Sequence, residues 1–399
     1  MNILLLTSSF PNKKNEISGL FVKDQVDIIN KLSPETNITV LTPGPSFENT
    51  KARIVNFNYF PFKKFEQIGV SSLLDLTKKS KFYYVVIFFY SFVMFKRAYR
   101  LLKKEQFDLI YSHWFVPQGL VSYILSKIFK VDYKITIHST GVSLLSKYGK
   151  IGNFLSKNIL RNSTGVSVTS KIVLETLNAV LSKKEISNLN ISIFPMGIFS
   201  DKFEITPKEF KFENFKSSKN ILFLGRLSEK KGIKVLINAF KTFSSGNDIK
   251  LIIAGDGPLM NEMRKLINYY NLQDRVFFIG KVSDSEKIEL FNICEILIVP
   301  SIRSKNDFEG MPVVIIEGLY FNKIVVASEE TNCQEVISHR DNGFIYSNNE
   351  ELGLLNCLYE IEKLNEDEIH NIKLSAKASS RTFDTLGSFN NYKIFLNLN

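Results

Sequence analysis

Cysteine is scarce in this chain of 399 residues: Cys294, Cys333 and Cys357 are its only three. An odd number of thiols, far apart and flanked by apolar neighbours, excludes a disulfide framework and reads as reduced, buried side chains. The four histidines never fall at ligand spacing on one helix and no Asp-x-Asp pair occurs, so a catalytic metal is not indicated. Long hydrophobic runs are missing as well. Phe82 to Phe95 extends over fourteen residues, against about 20 for a membrane-spanning helix. Before the first apolar segment, Asn2 to Leu6, there is neither a basic start nor a small-residue cleavage site, and the expected location is the cytoplasm.

What is present is length enough for two domains and a repeated local pattern. Asn220 to Leu224 reads as a buried strand, Gly225 to Gly232 as a glycine-bounded polar loop, and Ile233 to Phe240 has helical spacing. Arg226 and Lys231 then project from a strand-to-helix loop. Backbone N–H groups, the positive end of a helix dipole and two cations together suit a diphosphate. LIIAGDGPLMNEM repeats the pattern with Gly255 and Gly257, and VFFIGKVSDSEKIELF repeats it with Gly280. Three such units in succession predict a parallel, doubly wound α/β sheet with ligands at the carboxyl ends of its strands. Downstream, Glu309 and Glu317 lie eight positions apart in NDFEGMPVVIIEGLYFNKIVVAS, the first in a loop and the second in a helical run. Ionised carboxylates accept short hydrogen bonds from the hydroxyls of a polyhydroxylated ligand.

Texture divides the chain into an amino-terminal domain at 1–199, a polar, lysine-rich linker at 200–218, a second domain at 219–376 and a terminal segment at 377–399. Charge divides it differently. Lys51 to Lys104 holds twelve Lys or Arg against Glu66 and Asp75, a net of +10 within a chain of +11. Two readings of Phe82 to Lys104 stand side by side: a buried helix with solvated basic ends, or an element resting on an anionic membrane surface. The basic balance is not matched by any nucleic-acid recognition motif, and no nucleic-acid partner is expected.

Taken in order, the motifs resemble the family 4 retaining glycosyltransferases. They run from ILLLTSSF and ISGLF through DLIYSHWFVPQGL, ITIHSTG, FPMGIFSDKF, GRLSEKKG, AGDGP and Val299 to Ser301, ending at the paired glutamates. That resemblance spans the whole chain and implies the GT-B fold: two Rossmann-like, doubly wound parallel-sheet domains facing across a cleft, the terminal helix crossing back to the first. The form EGMPVVIIEGL is most similar to members that build exopolysaccharide, capsule or lipopolysaccharide.

The resemblance also implies roles. Arg226 and Lys231 hold the diphosphate of a nucleotide sugar. Glu309 and His138 meet the transferred sugar near its reactive carbon, and Glu317 takes the ribose. Gly310, Met311, Pro312 and Val313 line the sugar and phosphates with backbone N–H groups. Gly19 lets the amino-terminal loop approach the phosphates, and His113 shapes the acceptor side. No cofactor is implied beyond the donor substrate; the acceptor is a glycan hydroxyl, carried in such relatives on a polyprenyl diphosphate.

Some positions depart from the family pattern. Ser18 replaces the first of a glycine pair, and His138-Ser139-Thr140-Gly141 lacks the family's aspartate. Phe199 stands for another aspartate, and Thr331-Asn332 for a second glycine pair. Other classes stay open: a non-catalytic sugar-nucleotide-binding subunit of a transferase complex, or a GT-B epimerase.

Overall fold

The computed structural model describes the chain except residues 13–18, 46–49, 70–72, 139–140, 147, 205–209, 217–218, 247, 304–308, 348–349 and 399. Ser18, Ser139 and Thr140 therefore lie outside the described residues. The rest forms two units, Met1–Phe199 with Leu386–Asn399, and Ser200–Thr385.

Near-continuous apolar runs make the strands of the first unit, as a sheet buried on both faces requires. They are β1 (Asn2–Leu6), β2 (Asn37–Pro43), β3 (Arg53–Phe57), β4 (Leu109–His113), β5 (Asp132–Ile137), β6 (Gly165–Val168) and β7 (Ile191–Ile193). Their order is β3-β2-β1-β4-β5-β6-β7. All neighbours are parallel, with Leu5 opposite Val40 on one side and Tyr111 on the other. The chain leaves the middle of the sheet through β2 and β3, then crosses to β4 and proceeds the other way. The switch point lies between β1 and β4. Because crossovers between parallel strands are right-handed, this reversal puts the helix Leu20–Leu32 on one face. Tyr83–Lys104, Leu120–Phe129 and Gly149–Arg161 take the opposite face. Phe389, Tyr392 and Phe395 of the last helix join Val22 and Val26 in the core, and the Tyr392 hydroxyl accepts the Gly197 N–H at 3.1 Å.

The helix Tyr83–Lys104 is buried along one side only, which fits the buried-helix reading of its segment in part. Tyr83, Val86, Tyr90, Met94, Ala98 and Leu101 point inward at helical spacing, whereas Tyr84, Phe88 and Phe92 are exposed. Among the described residues no helix is long and apolar enough to cross a membrane.

The second unit contains β8 (Lys219–Leu224), β9 (Ile249–Ala254), β10 (Val276–Gly280), β11 (Ile296–Val299), β12 (Ile324–Ser328) and β13 (Phe344–Tyr346). Its order is β10-β9-β8-β11-β12-β13, which sets the switch point between β8 and β11. The described part of 200–218 belongs to this unit. Phe203 packs on Tyr320 and Phe321, and Phe212 and Phe215 are buried. Glu289 accepts the N–H groups of Lys211 and Phe212 at 2.9 and 2.5 Å.

Candidate active site

The loops at the carboxyl ends of β8 to β11 are joined by their backbones. Gly225 N–H donates to Ala254, Leu227 N–H to Asp256, Gly255 N–H to Gly280 and Ile302 N–H to Lys230, all between 2.7 and 3.1 Å. Glycine is required at two of these crossings. Gly232 has φ +62°, and a Cβ there would fall 1.7 Å from the Pro300 carbonyl oxygen; one on Gly255, at φ +143°, would fall 1.8 Å from that of Gly225. Both facts follow from a backbone that passes through the switch point with no room for a side chain. The loop 225–232 closes with the short turn Glu229–Lys231 and leads through Gly232 into the helix Ile233–Ser244.

Lys231 and Glu309 meet at this point. Glu309 Oε1 lies 3.1 Å from Lys231 Nζ and 3.7 Å from Lys230 Nζ. Burial pushes the Glu309 carboxyl up, but the two ammonium groups outweigh it and hold it below its ordinary range. It is therefore a carboxylate at neutral pH. On the same joined loops two buried hydroxyls, Ser228 and Ser301, have no hydrogen-bond partner among the described residues. Polar atoms left unsatisfied on loops that carry an ionic cluster suit a polar ligand. Arg226, on the same loop, is exposed to solvent.

Beyond Glu309, Gly310, Met311 and Pro312 are buried and run into the helix Val313–Tyr320, with Pro312 at its N-cap. The Glu309 carbonyl accepts from Asn332 Nδ2 at 2.6 Å. Asn332 has φ +54°, a left-handed conformation in which asparagine is the best tolerated residue after glycine. This accounts for an asparagine standing where the family has glycine, and shows what its side chain adds. Glu317 is not beside Lys231. Its Oε1 is bonded to Lys287 Nζ at 2.7 Å, both side chains buried, with Asp284 3.5 Å from the same ammonium. Lys230 and Lys287 were not singled out in the sequence, and Asn332 stood out only as a departure from a glycine pair, because these pairings join residues at least 23 positions apart or sit beside a stronger motif residue.

In the first unit, Gly19 caps the helix Leu20–Leu32 at φ +77°, and a Cβ there would meet the Ser9 carbonyl oxygen at 2.3 Å. The next turn carries Phe21, which packs on Trp114 and His138. His138 and His113 stack, ring centroids 5.1 Å apart, with Nε2 of one 2.9 Å from Nδ1 of the other. Burial takes His138 down to about 3 and His113 well below its usual value, the latter also through its neighbour. Both rings are neutral at physiological pH. Gly19, His113 and His138 thus gather at the switch point of β1 and β4.

The family model described as "Glycosyl transferases group 1" matches residues 205–379, which takes in the joined loops, Glu309 and Glu317. Over that stretch the chain is similar to this family of glycosyltransferases. Its two parallel-sheet units are those of the GT-B fold. Among similar glycosyltransferases, N-acetyl-alpha-D-glucosaminyl L-malate synthase of Bacillus anthracis is 21% identical over 70% of this chain and 71% of its own. TuaC of Bacillus subtilis, named for teichuronic acid biosynthesis, is 24% identical over 82% of this chain and 81% of its own. HepE of Anabaena, solved with UDP and glucose, superimposes with a TM-score of 0.73 over 100% of this chain and 99% of that one, at 18% identity.

Proposed function

We propose that this glycosyltransferase moves a sugar, with retention of anomeric configuration and without a metal ion, from a nucleotide-diphosphate sugar to a glycan hydroxyl. The acceptor is held on a lipid, as an intermediate of a surface polysaccharide. The observation that carries the reading is the Lys230–Lys231–Glu309 cluster at the switch point of β8 and β11, with Ser228 and Ser301 unpartnered on the same joined loops. TuaC's name supports the acceptor class, and the UDP and glucose of HepE support the donor class.

Arg226 and Lys231 neutralise the diphosphate, while Ser228, Ser301 and the N–H groups opening the helix Val313–Tyr320 donate to its oxygens. Glu309 accepts hydroxyls of the transferred sugar. As the bond from the anomeric carbon to the diphosphate lengthens, negative charge grows on the departing oxygen, where fixed cations stabilise it without reorganisation. The acceptor oxygen bonds to the same face of the carbon and its proton passes to the leaving phosphate. No protein nucleophile is needed, and configuration is kept.

The test uses the full chain with its donor and acceptor in EDTA, the anomeric configuration of the product being read by NMR coupling constants. Retention is expected. Glu309→Gln should cut turnover about tenfold to a hundredfold, the worth of one charge-assisted hydrogen bond, with nucleotide affinity nearly kept. An inverted product, or activity that needs added divalent metal, would overturn the mechanism.

A further inference from the structure

The face of the first sheet that carries Tyr83–Lys104, Leu120–Phe129 and Gly149–Arg161 has an unusual surface. The three helices contain nine lysines and arginines and no aspartate or glutamate. They are packed side by side: the Tyr99 and Phe129 rings meet at 5.0 Å, and Lys127 Nζ donates to Asn162 Oδ1 at 2.6 Å. On the outer surface of the first helix stand Tyr84, Phe88 and Phe92, with Phe88 67% exposed. The second adds Ile124 and Ile128, and the third adds Ile151 and Phe154, 73% and 66% exposed. Of the cations, Lys157 and Arg161 pair with Glu185, whereas Lys96, Arg100, Lys103 and Lys150 are exposed.

Large apolar side chains are costly on a surface facing water only, and exposed cations on three helices that carry no acid of their own repel a second copy of the same face. The combination fits a lipid interface, where aromatic and aliphatic groups enter the headgroup region and lysine and arginine reach anionic phosphates. We propose that this three-helix face docks the protein on an anionic phospholipid bilayer. The inference stands independently of the donor site, which lies in the other unit. It extends the membrane reading of Phe82 to Lys104 to two further helices that the fold brings alongside.

The experiment is co-sedimentation of the full chain at low salt with vesicles of phosphatidylcholine alone, or of phosphatidylcholine and phosphatidylglycerol in equal parts. Binding to the second kind only, reversed by salt, is expected. Each cation near the surface contributes about fivefold in partition. The variant Lys96→Gln, Arg100→Gln, Lys103→Gln, Lys150→Gln should therefore lose binding by well over tenfold. A second variant, Phe88→Ser, Phe92→Ser, Phe154→Ser, should leave the vesicles at lower salt than wild type. Circular dichroism and nucleotide binding should be unchanged in both. No binding by the wild type, or equal binding by all three proteins, would overturn the proposal. So would a wild-type dimer that the phenylalanine variant dissolves, since the face would then belong to a second copy.

Discussion

Glu309 is held ionised by Lys231 and Lys230, and its loop is tied down by Asn332 through the backbone carbonyl. Asn332→Gly keeps the left-handed backbone and removes only the tether. Turnover should fall about threefold to tenfold, the worth of a neutral hydrogen bond, with the melting temperature little changed. A large loss of stability instead would mean that the asparagine supports the fold and not the carboxylate. The histidine pair makes a prediction of the opposite kind. His138 is depressed to about 3 when folded, so between that value and the ordinary histidine range the unfolded chain binds the proton and the folded chain does not. Stability is fully present above that range and drains away as pH falls below it. Melting temperatures from pH 7 down to 5 should decline, and less steeply in His138→Gln. Parallel curves would contradict the buried, neutral pair. The strand, glycine and helix pattern put Arg226 and Lys231 on one loop, and the fold brings Lys231 to Glu309, 78 positions away in the chain. Asn332 was visible only as a departure from the glycine pair.

At the scale of elements, the helices Asp284–Ile293 and Val313–Tyr320 are joined by the buried Lys287–Glu317 pair. Sequence reasoning assigned Glu317 to a ribose with no partner in mind, since no local pattern signals a lysine 30 positions away. The pair gives Glu317 a structural duty as well, and the two duties separate by experiment. Lys287→Met leaves a buried carboxylate alone and should cost about 3–5 kcal/mol in denaturant unfolding. Combined with Glu317→Leu it should recover most of that stability while donor affinity stays low. If affinity returned with stability, Glu317 would have no contact with the donor. The helix Tyr83–Lys104 shows another limit. Its inward residues Val86, Tyr90 and Met94 are no more apolar than its outward Val85, Phe88 and Phe92, so hydrophobicity alone gave no sign of which side is covered. The stretch 200–218 read as a linker on its lysines, yet Phe203, Phe212 and Phe215 bury themselves in the second unit. Three aromatics at irregular spacing carry no periodic signal.

Across the whole molecule, the second doubly wound sheet was legible from three units of short apolar run, glycine and helical period, and the first through the family resemblance. The sheet orders then fix where chemistry can occur, at the β1/β4 and β8/β11 switch points. We propose that the second of these is a metal-free nucleotide-sugar site centred on Lys231 and Glu309. Titration of the full chain with a panel of nucleotide sugars in EDTA, by calorimetry, tests it most directly. One or more members should bind to the wild type without added metal, and Arg226→Ala with Lys231→Ala should abolish that binding while circular dichroism stays the same. Binding that appears only on restoring magnesium or manganese, or that persists undiminished in the double variant, would contradict it.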